Sequence, residues 1–139
     1  MREVTQEMIK NFKIRKLGYD FMGYTFTTVR DLSFHHMIVP KRDCKKAGLG
    51  DGYVMWNGAI LVQDTAHEYL HMIERIDRAK FLAITDYLVN QNKMGELSIQ
   101  ELKLIREILL EFEKEHQFDT NKQGKRLIKR EYIKNRIDL

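Results

Sequence analysis

Five histidines occur in the 139 residues, and four of them fall between positions 35 and 71. His35 and His36 are adjacent in the stretch SFHHMIVPK, which ends next to the only proline of the chain, and His67 and His71 stand four apart in HEYLH. Residues four apart share one face of a helix, so these two rings can present nitrogens to a common point. A third imidazole from a neighbouring strand would complete a three-ligand metal site with positions left open, which is what a catalytic ion requires. An imidazole that is not a ligand has a different use, because it exchanges protons near neutral pH and can take one from water. Adjacent histidines could divide those two tasks.

Two catalytic readings compete for HEYLH. The first is the zinc-protease signature H-E-x-x-H, with Glu68 as general base and a third ligand downstream, Glu96 or Glu101. It leaves His35, His36 and Asn57 without a role. It also competes for Glu68 with a structural task, because Thr65-Ala66-His67-Glu68 fits the reciprocal helix-capping pattern.

The second reading uses all five positions. The adjacent pair His35-His36 with Pro40 four residues on, then Asn57 in WNGAILV, His67 ten residues later and finally His71 resembles the HNH nucleases. These are the ββα-metal family, and the match is to the variant seen in colicin-type DNases. The resemblance covers about residues 33–75, roughly a third of the chain. It implies an α+β fold with a ββα-metal hairpin-helix core. It further implies that His35, His67 and His71 hold one divalent metal ion, that His36 is the general base, and that Asn57 pins the loop orienting it. Three imidazoles favour Zn, Ni or Mn over Mg, which leaves the metal's identity open. The implied reaction is phosphodiester hydrolysis in DNA, with RNA left open. A non-catalytic nucleic-acid-binding or interaction module on the same fold is the third alternative.

These residues need elements to position them. Asp31–Val39 reads as an extended segment closed by Pro40, KRDCKKAGLGDG as a loop, and YVMWNGAILV as a second strand with Gly58 at a close backbone approach. A helix capped by Asp64 or Thr65 is expected to run from there to about Asn90, giving β-loop-β-α. Successive side chains on a regular strand face opposite ways, so His35 and His36 can serve one site only if the strand twists or ends there. Before this unit, Met1–Lys16 has helical spacing, with Met8, Ile9 and Phe12 on one side, and YDFMGYTFTTV suits a strand or hairpin. After it, Ser98–Glu101 repeats the capping pattern, and Ile99, Leu102, Ile105, Leu109 and Phe112 form a helical stripe that suits a structural brace. The expected organisation is one domain over 1–139. The ββα unit would lie at about 33–80, the helical brace at about 81–116 and a basic segment at 117–139.

Charge suggests a partner. Residues 1–63 carry ten Lys/Arg against six Asp/Glu, residues 64–116 seven against eleven, and residues 117–139 seven against three. Basic ends around an acidic middle are compatible with a polyanion. Lys41, Arg42, Lys45 and Lys46 in the loop are candidates for phosphate contacts, as are Arg75 and Arg78, which continue the His67–His71 helix face. Trp56 and the aromatic run Tyr19, Phe21, Tyr24 and Phe26 are expected in the core. The single cysteine, Cys44, excludes an intramolecular disulfide framework and a multi-cysteine zinc knuckle, and reads as a loop thiol. With no apolar leader and no stretch of membrane-spanning length, a cytoplasmic setting without membrane contact is expected. Neither a helix-turn-helix nor a zinc-finger pattern is present, so specificity would be structural, absent, or supplied by a homodimer or protein partner.

Overall fold

The computed structural model describes residues 1–116 and 127–139. Helix α1 (Glu3–Asn11) buries Thr5, Met8 and Ile9 on one face. It does not continue to Lys16 as its spacing predicts. The chain turns at Lys13, in the left-handed region with φ 56°, and resumes as the single turn α2 (Ile14–Leu17), closed by Gly18. The aromatic run that follows is a folded turn with isolated bridges rather than a strand. Its organiser is Asp20. The carboxylate accepts the N–H of Met22 at 2.8 Å and of Tyr24 at 2.9 Å, and reaches across to the N–H of Val62 at 2.7 Å. A turn satisfied by one buried carboxylate needs no partner strand. Phe21 and Tyr24 are fully buried as expected, while Tyr19 and Phe26 are partly covered.

The only sheet among the described residues pairs β1 (Leu32–His36) with β2 (Gly58–Val62). They run antiparallel, with Leu32 opposite Val62 and His36 opposite Gly58. Every residue of β2 is buried. Gly58 is the expected close approach: a Cβ there would lie 2.2 Å from the Phe34 ring. Between the strands, 3₁₀ turns at Lys41–Asp43 and Met55–Asn57 flank the glycine-rich loop. Trp56 is 47% exposed, which corrects its expected place in the core. Cys44 is buried rather than a loose loop thiol, its sulfur 3.2 Å from the Pro40 carbonyl.

The helical half departs from expectation at its start and middle. Residues Gln63–His67 form one π-helical turn before α3 (Glu68–Ile76), and no side chain caps it. The reciprocal Thr65–Glu68 cap is absent: the Thr65 hydroxyl is buried without a partner among the described residues, and Glu68 bonds elsewhere. Nor does one helix reach Asn90. Asp77 leaves helical geometry at φ −143°, and its side chain accepts the Lys80 N–H at 3.2 Å, starting α4 (Arg78–Met94). A capping aspartate ends one helix and begins the next.

Helix α5 (Ile99–His116) is the expected brace, burying Leu102, Ile105, Leu109 and Phe112 while leaving Ile99 half exposed. Half of its expected cap forms, with Ser98 Oγ accepting the Glu101 N–H at 3.4 Å; the Ser98 N–H goes instead to Gln91 Oε1. Of the basic segment expected at 117–139, residues 117–126 lie outside the described residues. The remainder folds back through α6 (Arg130–Lys134), where Tyr132 stacks on Tyr69 with ring centroids 4.5 Å apart. Arg136 Nη2 then donates to both carboxylate oxygens of buried Glu113, at 2.9 and 3.3 Å. The molecule is α+β, and no helix among the described residues is long and apolar enough to cross a membrane.

Candidate active site

The pleat of β1 sorts its side chains. Ser33 and His35 face α3, while Phe34 and His36 face the loop. His67 ends the π-helical turn and His71 lies one turn on in α3. Ring centroids are 5.1 Å apart for His35–His67, 5.3 Å for His35–His71 and 4.9 Å for His67–His71. One ligating nitrogen from each ring lies within 4.8 Å of the other two. The strand and the helix thus bring the three predicted ligands together.

Neighbouring groups determine which nitrogens are free. Ser33 Oγ donates its proton to the Leu61 carbonyl at 3.0 Å, so towards His67 Nδ1, 2.7 Å away, it can only accept. Gln63 Oε1, at 3.3 Å from the same nitrogen, is also an acceptor. The proton of His67 therefore sits on Nδ1, and the Nε2 lone pair points at His35 Nδ1, 3.3 Å away. Glu74 Oε1 takes the same role for His71, 3.3 Å from its Nδ1. An acceptor on the outer nitrogen that leaves the inner one bare is how proteins orient histidine ligands.

Charge completes the preparation. Burial, then the His67 and His71 rings, hold His35 well below the usual imidazole range. Burial, then His71 and His36, push His67 down to about 4. Both rings are uncharged at neutral pH, the form in which imidazole binds metal. His35 Nδ1 is the nitrogen that faces the His67 lone pair, while its buried Nε2 has no hydrogen-bond partner among the described residues. Tetrahedral zinc with bonds of 2.0–2.1 Å sets its ligand nitrogens about 3.3 Å apart, which matches the His35–His67 separation. This donor set fits a divalent metal ion.

His36 occupies a different environment. Its Nε2 lies 2.9 Å from the Asp51 carbonyl, which can only accept, so the ring proton is on Nε2 and Nδ1 carries the lone pair. Phe34 and Tyr53 flank the ring edge-on, at 5.0 and 4.8 Å. Gly52 allows the loop to close on it, at φ 76°; a Cβ there would lie 2.2 Å from Cys44 Sγ and 2.9 Å from the His36 ring. Asn57 ties the loop down. Its Oδ1 accepts the N–H groups of Ile38 at 2.9 Å and Val39 at 2.8 Å, and its Nδ2 donates to the Val39 carbonyl at 3.0 Å and the Gly52 carbonyl at 3.4 Å. The buried amide is fully used.

All four histidines line one open cleft of about 780 Å³. β1 ends at His36, so both faces of the strand reach it. Of the six expected phosphate contacts, Lys41, Arg42 and Arg78 line the cleft. Lys45, Lys46 and Arg75 do not. The first two lie farther along the loop, and the charge of Arg75 acts on Tyr132. The sequence reading missed four participants. Gln63 and Glu74 sit four and three residues from the histidines they orient, so helix spacing carried a signal, whereas Ser33 shares the strand face of His35 but serves His67, 34 residues away. Arg2 carried none: it reaches Asp51 Oδ2 at 2.6 Å across 49 residues and lies 3.8 Å over the Tyr53 ring.

Glu68, the base of the protease alternative, does not line the cleft. It is held on the other side of α3 by Tyr132 Oη at 2.5 Å and by Lys129. Neither Glu96 nor Glu101 joins the three histidines. In a second grouping, Asp77, Glu115 and His116, the two carboxylates are already engaged by the Lys80 ammonium, at 3.0 Å from Asp77 and 3.1 Å from Glu115. Comparison with known proteins finds no matching family model, curated protein or solved structure.

Proposed function

We propose that the protein is a metal-dependent endonuclease that hydrolyses phosphodiester bonds in DNA, with a single ion in a ββα-metal core. The observation that carries this reading is the convergence of His35, His67 and His71 in the same cleft as a fourth histidine whose lone pair is left free. A bound divalent ion would supply positive charge to the scissile phosphate and the leaving oxygen. His36 Nδ1 accepts a proton from the attacking water as the new O–P bond forms. The bond to the 3′ oxygen breaks, and that oxygen is protonated from solvent, leaving a 5′-phosphate and a 3′-hydroxyl. Asn57 keeps the His36 anchor at Asp51 in place by holding Gly52, one residue away. Lys41, Arg42, Arg78 and Arg2 provide cations along the cleft for the backbone phosphates. The commitment of Glu68 to Tyr132 and Lys129 argues against peptide hydrolysis at this site.

The test is supercoiled plasmid incubated with the protein and Zn²⁺, Ni²⁺, Mn²⁺ or Mg²⁺ in turn, with EDTA as control and a structured RNA in parallel. Metal-dependent nicking or linearisation that disappears in His36→Ala is expected. Salt-dependent binding with no cleavage under any ion would leave a non-catalytic module in its place.

A further inference from the structure

A second groove, of about 1100 Å³, runs along α1 and α2. Lys10, Lys13, Arg15, Lys16 and Arg30 line it, against two carboxylates, Glu3 and Glu7. None of the five cations is in an ion pair among the described residues. In the histidine cleft, by contrast, Arg2, Arg42 and Arg78 each have a carboxylate within 4.0 Å. Among the described residues the groove therefore carries a net excess of positive charge, five cations against two carboxylates.

Lys13 sharpens the point. It is the only non-glycine among the described residues with positive φ, at 56°. Two other helices end in this conformation, and both use glycine: Gly18 after α2 and Gly95 after α4. A Cβ makes the left-handed region unfavourable, so glycine at position 13 would relieve the backbone. A residue kept in an unfavourable conformation at a surface turn points to work done by its side chain. The same turn swings α2 so that Lys13, Arg15 and Lys16 join Lys10 in one groove.

We propose that this groove binds the sugar–phosphate backbone of the nucleic acid flanking the scissile bond. The choice of nucleic acid over an acidic protein rests on the nuclease reading. Met1 lines both this groove and the histidine cleft, so a polyanion seated in one can continue into the other. Backbone contact of this kind needs cations without ion-pair partners and no base-reading group, which is what the groove offers.

Binding of a duplex oligonucleotide to the full chain in EDTA, measured across salt concentrations, separates this contact from cleavage. Replacing Lys10, Arg15 and Lys16 by Gln should weaken binding and make the slope of log K against log salt shallower by about 2.7, the counterion release of three phosphate contacts. Zinc affinity should not change. Lys13→Gly should raise Tm, weaken DNA binding and flatten the slope by about 0.9. An unchanged slope in the triple variant overturns the proposal, as does wild-type binding to polyglutamate but not to DNA. A higher Tm with unchanged affinity in Lys13→Gly would reduce that residue to a structural turn and overturn its part. Wild-type binding that the variants weaken, with no cleavage under any metal, would sink the nuclease reading and leave the groove standing.

Discussion

His35 and His36 are neighbours in the chain and occupy opposite environments. His35 is buried, has an orphaned nitrogen and faces two further imidazoles. His36 is partly exposed, anchored to a carbonyl and flanked by aromatic rings. The pleat alone produces this division, since one residue's advance along a strand reverses the face. It also separates two demands that conflict in one ring: a ligand must point its lone pair at an ion, and a base must keep its lone pair for water. Ending β1 at His36 lets both faces open into one cleft.

The largest expected effect tests that division directly. His71→Ala removes a proposed ligand, so zinc affinity should fall more than 100-fold and plasmid cleavage should vanish with it; losing even a group behind a ligand costs about 10–100-fold. His36→Ala should reduce cleavage by about 10²–10⁴-fold, the usual contribution of a general base, with zinc affinity within about twofold of wild type. Isothermal titration and the plasmid assay read the two losses separately. Equal loss of zinc binding in both variants would erase the distinction between the faces.

The buried face should also show in the metal-free protein's response to acid. His67 titrates at about 4 when folded and at about 6.5 in the unfolded chain, so between those values the unfolded state binds more protons. Its depressed folded pKa therefore makes stability highest above about pH 6.5, and the loss accumulates as pH falls towards 4. From this residue the loss is about 3 kcal/mol. His35, shifted the same way, adds to it. Urea denaturation of EDTA-treated protein at pH 7.5, 5.5 and 4.5 measures the slope, and His67→Gln should flatten it. Saturating zinc at the higher pH values should add stability through binding to the native state alone.

A smaller effect is expected one layer out. Ser33→Ala leaves the three rings in place but removes the acceptor that fixes the His67 tautomer. Zinc affinity should drop by about 10–100-fold, with the stability of the metal-free protein little changed. A Ser33→Ala protein with wild-type affinity would show that Gln63 alone orients the ring.

How far the sequence could reveal this site follows from which forces are local. The His-x3-His clip, the strand pair with Gly58 and the α5 stripe were legible because helix and strand periodicities act within a few residues. The break at Asp77 was also written locally, as a capping residue inside an otherwise helical pattern, but the apolar spacing on both sides masked it. Thr65 shows the converse: a local capping pattern lost to tertiary structure once Tyr132 and Lys129 captured Glu68. Arg2 and the reach of Asp20 to Val62 were beyond sight, because each partner lies dozens of residues away, although Asp20 also bonds locally to Met22 and Tyr24. The α+β class and the meeting of His35, His67 and His71 were therefore readable, whereas the full wall of the cleft was not.

Glu68 repeats the lesson of the strand on a helix, and its variant should have the smallest effect. It follows His67 in sequence, but about 100° of helical rotation carries it to the side of α3 that meets α6. Glu68→Gln keeps the shape and loses the charge that pairs with Lys129, a contact exposed on both sides. An exposed pair of this kind contributes little, so Tm should move by a few degrees at most. Plasmid cleavage and zinc affinity should stay at wild-type levels. Were Glu68 the base of a zinc protease, the same substitution would abolish hydrolysis of a casein substrate while leaving zinc bound. Peptide hydrolysis by the wild type that disappears in Glu68→Gln would overturn the assignment of the proton-transfer role to the loop-facing side of β1.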